Sequence, residues 1–239
     1  DLQQLRKVVR MEKLENNFNT YIKAQLAYLK SKKSTDKKSV QPFITVSRET
    51  GAYGLTISKG IADYLNKKNK SAYCPWTVFN RKSIKSITEA QNLTETLQPY
   101  IKTDEVEDIM KQTFNPNLPQ HSYIQSSTKN ILHLAQLGNA VIIGCAANVF
   151  TSKLPGGFHI RLVGSFLNRL DHIQEFYPMS EKEAKVFIFS EEGLRRDYVK
   201  KYFGQDIDDP ALYNMIINID ELKPQEIIQI VGDIIIKKY

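Results

Sequence analysis

Short apolar runs alternate with longer segments of helical periodicity along most of the chain. Runs rich in β-branched and aromatic residues predict five buried strands, at Phe43–Val46, Trp76–Phe79, Ala140–Ile143, Phe158–Val163 and Tyr213–Ile219. Apolar residues spaced three and four apart, such as Ile57, Ile61 and Leu65, predict helices between these runs. Strands that alternate with helices indicate an α/β domain with a mostly parallel sheet.

The first 30 residues have the pattern of one amphipathic helix. Its apolar face is formed by Leu2, Leu5, Val9, Leu14, Phe18, Ile22, Leu26 and Leu29. Such a helix can form a homo-oligomer contact, dock another protein, or pack on the main domain, and we favour packing. The polar stretch Ser31–Gln41 then predicts a linker, so we divide the chain into residues 1–41 and 42–239.

A glycine-bearing turn, Arg48–Gly54, joins the first predicted strand to the first helix of the main domain. Strand, glycine turn and helix together form the local geometry of a phosphate-binding loop, because glycine lets the backbone approach an anion at a helix N-terminus. The pattern G-x-x-x-x-G-K-[ST] fits in two registers, and neither supplies the lysine. Taken alone, the stretch is equally compatible with an ordinary tight turn.

Composition limits the classes of partner. The 239 residues are 41% hydrophobic and carry a net charge of +7, which suits phosphate-bearing partners, although a solvated lysine-rich surface explains most of the excess. Nucleic-acid binding is disfavoured because aromatic and basic residues are not interleaved. No apolar run is long enough to span a membrane. The only cysteines, Cys74 and Cys145, form no metal or disulfide framework, which favours a reducing, cytoplasmic compartment.

Five segments resemble the cytidylate kinase-like family, relatives of the nucleoside monophosphate kinases. SRETGAYGLTISKGIADYL resembles the family's S-R-E-x-G-x-G-G-x-x-I-A-x-x-L-A, and WTVFNRKSI resembles W-P-V-Y-D-R-E-L-L. AVIIGCAAN resembles V-I-V-G-R-G-A-N, and FHIRLVGSFLNRLDHI resembles H-V-R-L-V-A-P-x-x-x-R-V-x-x-I. The longest match, EGLRRDYVKKYFGQDIDDPALYNMIIN, resembles D-x-x-R-x-x-Y-V-x-x-Y-F-G-x-D-x-D-D-P-x-L-Y-x-L-V-I-N.

The resemblance implies both a fold and an activity. The fold is the P-loop nucleoside-monophosphate-kinase type, a three-layer α/β/α sandwich with a five-stranded parallel sheet of order 2-3-1-4-5. A helical acceptor-binding insert would span about 82–137, and a lid about 180–203. The implied activity is transfer of the γ-phosphoryl group from Mg-ATP to a nucleoside monophosphate, CMP or dCMP, in which positioning and charge neutralisation do most of the catalysis.

The family pattern also implies site residues. The donor phosphates would lie on the loop residues Gly51, Ala52, Tyr53, Gly54, Leu55 and Thr56. Either Thr56 or Ser58 would help with magnesium. The candidate phosphate cations are Arg48, Arg161, Arg169 and Arg195, and the acceptor would lie near Asn80 and Arg81. Because Arg161 interrupts a buried strand, it also needs an anionic partner or a route to solvent.

Three departures from the family motifs oppose catalysis, together with the absence of the general P-loop lysine, which much of the family also lacks. Tyr53 replaces a glycine, Asn80 replaces an aspartate and Cys145 replaces an arginine. Loss of one well-placed transition-state donor typically costs roughly a hundredfold to a thousandfold in rate. Two hypotheses follow: an active nucleoside monophosphate kinase, and a catalytically degenerate nucleotide-binding or protein-interaction module of the same fold.

Overall fold

A computed structural model describes residues 18–31, 40–68, 74–90, 101–114 and 121–239. The strands are β1 (Phe43–Arg48), β2 (Thr77–Phe79), β3 (Ala140–Ile143), β4 (Gly157–Val163) and β5 (Met215–Asn218). The first five helices are α1 (18–31), α2 (Gly54–Lys68), α3 (Arg81–Ala90), α4 (Thr103–Thr113) and α5 (Ser122–Leu137). The remaining helices are α6 (Ala147–Phe150), α7 (Phe166–Phe176), α8 (Glu181–Phe203) and α9 (Pro224–Lys238), with a 3-10 turn at Pro210–Leu212.

The five strands form one parallel sheet in the order β2-β3-β1-β4-β5. Strand β1 is central, and its Val46 lies between Ile143 of β3 and Ile160 of β4. The predicted fold class and the predicted order 2-3-1-4-5 are therefore confirmed. In such a sheet the carboxyl ends of β1, β2 and β3 lie at one edge, where ligands bind in open α/β folds.

Two apolar layers cover the sheet. Along β1 the side chains alternate, so that Ile44 and Val46 pack against α2 and α9, whereas Phe43 packs on the opposite side with α5 and α6. This alternation makes a continuous apolar run suitable for a strand that is buried on both faces.

Strand β5 differs from the prediction of a fifth buried strand. It pairs only with β4 and forms an edge of the sheet, and within it only Ile217 is buried. Its neighbour Ile216 is 43% exposed. An apolar run of isoleucines does not distinguish an edge strand from a central one, because the pairing partner is not encoded locally.

Helix α1 packs on the main domain. Tyr21 is fully buried and donates a hydrogen bond to the Gly138 carbonyl oxygen at 2.6 Å. Gln25, also buried, donates to the carbonyl oxygens of Leu137 and Gly138 at 3.0 and 3.1 Å. The rest of the predicted N-terminal helix, residues 1–17, and most of the predicted linker, residues 32–39, lie outside the described residues.

Helices α3, α4 and α5 occupy the predicted acceptor-binding insert, and α8 occupies the predicted lid. Residues 91–100 and 115–120 of the insert lie outside the described residues. Helix α8 begins at a capping box in which Ser180 and Glu183 bond each other's backbone amides. It ends at Gly204, which adopts a left-handed conformation. The functional division into insert and lid stays a prediction.

Candidate phosphate-binding site

The turn after β1 leaves a row of backbone amides free at the start of α2. The Glu49 amide donates to the Leu162 carbonyl oxygen at 3.0 Å, and the Ala52 amide donates to that of Glu49 at 3.2 Å. The next four amides, Tyr53 to Thr56, have no acceptor among the described residues. Unsatisfied amides at a helix N-terminus favour an anion. The predicted donor-phosphate loop therefore has the free donors that its proposed role needs.

Three close contacts hold the turn against α7. Gly51 has φ +90°, and a Cβ atom there would lie 2.4 Å from the Arg169 carbonyl oxygen. A glycine is therefore required at this position. The His172 Nδ1 contacts the Gly51 carbonyl oxygen at 2.5 Å, and the His172 ring stacks on Tyr53 with the centroids 3.6 Å apart. Sequence reasoning missed His172, which carries no motif signal.

Tyr53 has φ +51°, a left-handed conformation that bulky residues rarely adopt. It stands where the family pattern has glycine. The stacking on His172 explains how a tyrosine is tolerated there, because the contact offsets part of the backbone cost. The tyrosine also places a large side chain beside the row of free amides.

Arg169 is buried and holds the turn to the neighbouring elements. Its Nη1 donates to the Thr50 carbonyl oxygen at 3.0 Å and pairs with Glu192. Its Nε donates to the Gly164 carbonyl oxygen at 2.9 Å and lies 3.3 Å from Oε2 of Glu49. The Thr50 amide in turn donates to Oε1 of Glu192 at 3.1 Å. This arginine is therefore engaged by two carboxylates and two carbonyl groups.

Arg195, on α8, also contacts the turn. Its Nη1 donates to Oγ1 of Thr50 at 2.8 Å, and its Nη2 pairs with Glu191 at 3.1 Å. Burial is the largest influence on this guanidinium and lowers its pKa. The Glu191–Arg195 pair has the i, i+4 spacing that the sequence could have indicated.

Arg161 has a structural partner. Its Nη2 donates to Oδ1 of Asp208 at 2.6 Å and its Nη1 donates to Oγ of Ser47 at 3.0 Å. Asp208 also pairs with Arg196 of α8. The buried arginine therefore has the anionic partner that its position in β4 requires. Asp208 belongs to the longest family motif, but its pairing could not be inferred from spacing.

Arg48 differs from these three arginines. Its guanidinium forms no hydrogen bond or ion pair with the described part of the chain, and it lies over Gly144 at the end of β3. Burial, reinforced by the positive charge of Arg195, lowers the pKa of Arg48 to about 10. At pH 7 the side chain still carries its charge, so it is a partly buried cation without a carboxylate partner among the described residues.

The predicted acceptor residues lie at the end of β2. Asn80 caps α3, since its Oδ1 accepts from the amides of Lys82 and Ser83 at 2.9 and 3.1 Å. Its side-chain oxygen is therefore used locally. Arg81 is exposed and makes no ion pair with the described residues. The charges of Arg81 and Arg48 both lower the pKa of the Cys145 thiol. Burial, the larger effect, raises that pKa.

The two predicted magnesium residues lie in different environments. Thr56 is exposed in the first turn of α2, whereas Ser58 is fully buried and its hydroxyl has no partner among the described residues. A buried hydroxyl cannot meet a hydrated cation, so Thr56 is the better candidate. Within the described ranges, no three His, Cys, Asp or Glu side chains cluster as a metal site. A magnesium ion here would depend mainly on phosphate oxygens and water.

Comparison with known proteins identifies the family. Residues 43–221 match the model of the cytidylate kinase-like family, which covers more than half of the chain. The chain therefore belongs to the cytidylate kinase-like family. Among curated protein sequences, none matches it.

One of the solved structures to which the chain is similar shares its fold. An uncharacterized protein from Eubacterium ventriosum ATCC 27560 is 16% identical, with a TM-score of 0.61, covering 83% of this chain and 97% of that one. Shikimate kinase from Bacteroides thetaiotaomicron is 13% identical, with a TM-score of 0.45 and coverages of 81% and 97%. Shikimate kinase from Acinetobacter baumannii in complex with shikimate is 13% identical, with a TM-score of 0.40 and coverages of 83% and 94%. Separately, none of the described helices has the length and apolar character to cross a membrane.

Proposed function

We propose that this protein transfers the γ-phosphoryl group of Mg-ATP to a nucleoside monophosphate, CMP or dCMP, in the cytoplasm. The main support for this proposal is the row of backbone amides from Tyr53 to Thr56, at the start of α2. These amides have no acceptor among the described residues. Membership of the cytidylate kinase-like family supports the cytidine base and the nucleotide donor. The free thiols of Cys74 and Cys145 agree with a reducing compartment.

The donor phosphates would lie on the loop residues Gly51 to Thr56, with the Thr56 hydroxyl beside the magnesium ion. The ion would neutralise charge on the phosphates during transfer. The protein supplies fixed amide dipoles, which need no reorganisation as charge develops. Neither register of the loop supplies the usual lysine, so the cationic contribution has to come from arginine.

The acceptor phosphate would lie between Arg48 and Arg81. Both guanidiniums lack a carboxylate partner within the described ranges, and both act electrostatically on Cys145. A guanidinium offers a planar fork of donors that matches phosphate geometry. Asn80 retains an amide group for the acceptor but lacks the negative charge of the family's aspartate.

Arg169 and Arg195 contribute differently in this proposal. Arg169 is bound to Glu49 and Glu192, and Arg195 is bound to Glu191. They hold the loop in place, and they reach a phosphate only by giving up carboxylate partners. Arg161 acts further away as a positioning residue, through Ser47 at the end of β1 and Asp208.

The test is an ADP-release assay with Mg-ATP and, separately, CMP, dCMP, UMP, AMP and GMP, together with calorimetry of ATP binding. We expect turnover with a cytidine monophosphate well above the rate with ATP alone. Turnover with a monophosphate of another base would support the kinase activity but would show that cytidine monophosphate is not the acceptor. Absence of both binding and turnover would reject the proposal.

A second candidate function, a nucleotide-binding module without catalysis, is favoured by the strained Tyr53 and by the carboxylates that occupy Arg169 and Arg195. ATP binding in the calorimeter without acceptor-dependent ADP release would support this alternative. The same two measurements therefore separate the two functions.

A further inference from the structure

Helix α8 carries large apolar side chains that are mostly exposed. Val186 is 63% exposed, Phe189 64% and Leu194 63%, although the same helix buries Ala184 and Ile188 against α7. At about 100° per residue, Val186 lies opposite the buried pair, and Phe189 and Leu194 lie on either side of Val186. A helix that is apolar on both sides is normally covered on both sides.

Six residues of α8 are spaced symmetrically, so that the intervals between them are the same from either end. They are Lys182, Val186, Phe189, Ser190, Gly193 and Asp197, at intervals of four, three, one, three and four residues. All six are exposed, and together they cover roughly 100° of the helix surface. We call these six residues the α8 stripe.

The α8 stripe is complementary to itself when a second copy lies antiparallel to it, with a two-fold axis between Phe189 and Ser190. In this register each large residue faces a small one, since Val186 meets Gly193 and Phe189 meets Ser190. Lys182 meets Asp197, so opposite charges also face each other. Neither charge forms an ion pair with the described residues of its own chain.

Space for the second copy exists at the centre of the stripe. A Cβ atom at Gly193 would have no heavy atom within 4 Å. The Phe189 ring is also fixed, because it stacks on Phe166 with the centroids 5.3 Å apart. A glycine opposite a branched side chain lets two helix backbones approach closely, as in knobs-into-holes packing.

We propose that the α8 stripe is the interface of a homodimer in which two copies of α8 pack antiparallel. The segment from Lys182 to Asp197 would be roughly 24 Å long. One helix pair of this length lies at the small end of specific interfaces, so we expect dissociation at micromolar concentrations. This interface differs from the N-terminal helix that the sequence suggested for oligomerisation.

The dimer would connect directly to the phosphate loop. Glu192 and Arg195, which bond Thr50, lie on the opposite side of the same helix. Packing a second helix on the α8 stripe would therefore stiffen the helix that contacts the loop. The proposal does not depend on the reaction that the site catalyses.

Sedimentation equilibrium between about 1 and 200 μM tests the interface. The wild-type protein is expected to shift from the monomer mass to twice that mass. Lys182→Asp and Asp197→Lys each place like charges opposite each other, so each should weaken association at least tenfold. The double variant restores opposite charges and should recover most of the affinity. This rescue is specific to the proposed antiparallel register.

Gly193→Leu provides an independent steric test. The monomer has room for the side chain, so thermal stability should be kept or raised, while the dimer is blocked. Wild-type protein that stays monomeric up to 200 μM would overturn the proposal and leave the stripe to a different partner. A dimer that survives Gly193→Leu, or that is not rescued by the charge exchange, would also overturn it.

Discussion

The guanidinium of Arg48 lies directly over the backbone of Gly144. A Cβ atom at Gly144 would be only 2.3 Å from the Arg48 Nη1 atom. A side chain at residue 144 would therefore displace the Arg48 guanidinium from this position. This contact sets the position of the one arginine among the four candidates that has no carboxylate partner within the described residues.

Gly144→Ala should destabilise the protein and displace Arg48. The residue has φ +71°, which costs an alanine about 1 to 2 kcal/mol, and the new methyl group would push the Arg48 guanidinium aside. We expect the free energy of unfolding to fall by about 1 to 2 kcal/mol, measured by urea denaturation. The matched control is Gly193→Ala, which lies within α8 with open space around it and should be stabilised by about 1 kcal/mol. Equal effects of the two substitutions would contradict this role of Gly144.

Arg48→Ala should reduce acceptor-dependent turnover about a hundredfold, the typical cost of losing one well-placed electrostatic donor. Arg48→Lys retains the charge but loses the planar fork, and we expect an intermediate rate. The control is Lys59→Ala, at an exposed position of α2. Unchanged nucleotide affinity and rate in Arg48→Ala would exclude this arginine as a ligand of the acceptor phosphate.

The sequence predicted the sheet order and the turn, because the apolar runs and the family motifs are local or ordered along the chain. It could not separate the roles of the four arginines. Arg161 and Arg48 both lie on strands of the sheet, yet Asp208 neutralises only Arg161. Arg161 and Asp208 are 47 positions apart in the sequence. They meet only because the loop after α8 packs beside β4.

The burial of Ser58 is another feature that could not be predicted from the sequence. Thr56 and Ser58 lie two residues apart in the first turns of α2, and either could have faced the loop. Helical geometry places them about 200° apart around the axis, so only one can do so. The structure exposes Thr56 and buries Ser58. The choice depends on which side of α2 meets the sheet, and a short loop sequence does not determine this.

Asp208→Ala should destabilise the protein by about 1 to 3 kcal/mol, because it leaves the buried Arg161 without its carboxylate partner. The Asp208 side chain is 43% exposed, so water offsets part of the loss. The matched control is Asp108→Ala, which breaks a surface pair with Lys111 and should cost at most about 0.5 kcal/mol. Both values come from urea denaturation at pH 7. A loss for Asp208→Ala no greater than that of the control would show that Arg161 is satisfied without it.

Stability should fall with acidification through two buried histidines. Burial, reinforced by Lys129, lowers the pKa of His133 to about 4, and burial with Lys238 does the same for His159. Between the ordinary pKa near 6.5 and about 4, the unfolded chain binds protons that the folded chain refuses. Lowering the pH therefore favours unfolding, and each histidine contributes about 1.4 kcal/mol per pH unit within this window.

His133→Leu separates this effect from the titration of carboxylates. Both ring nitrogens of His133 are buried without partners in the described part of the chain, so an apolar replacement of similar size should keep or raise stability at pH 7. It should also remove roughly half of the histidine contribution to the slope between pH 6.5 and 4.5. His121→Leu, at an exposed position before α5, is the matched control for the substitution itself. If His133→Leu and wild type lose stability in parallel on acidification, His133 is protonated in the folded protein and its burial does not exclude the charge.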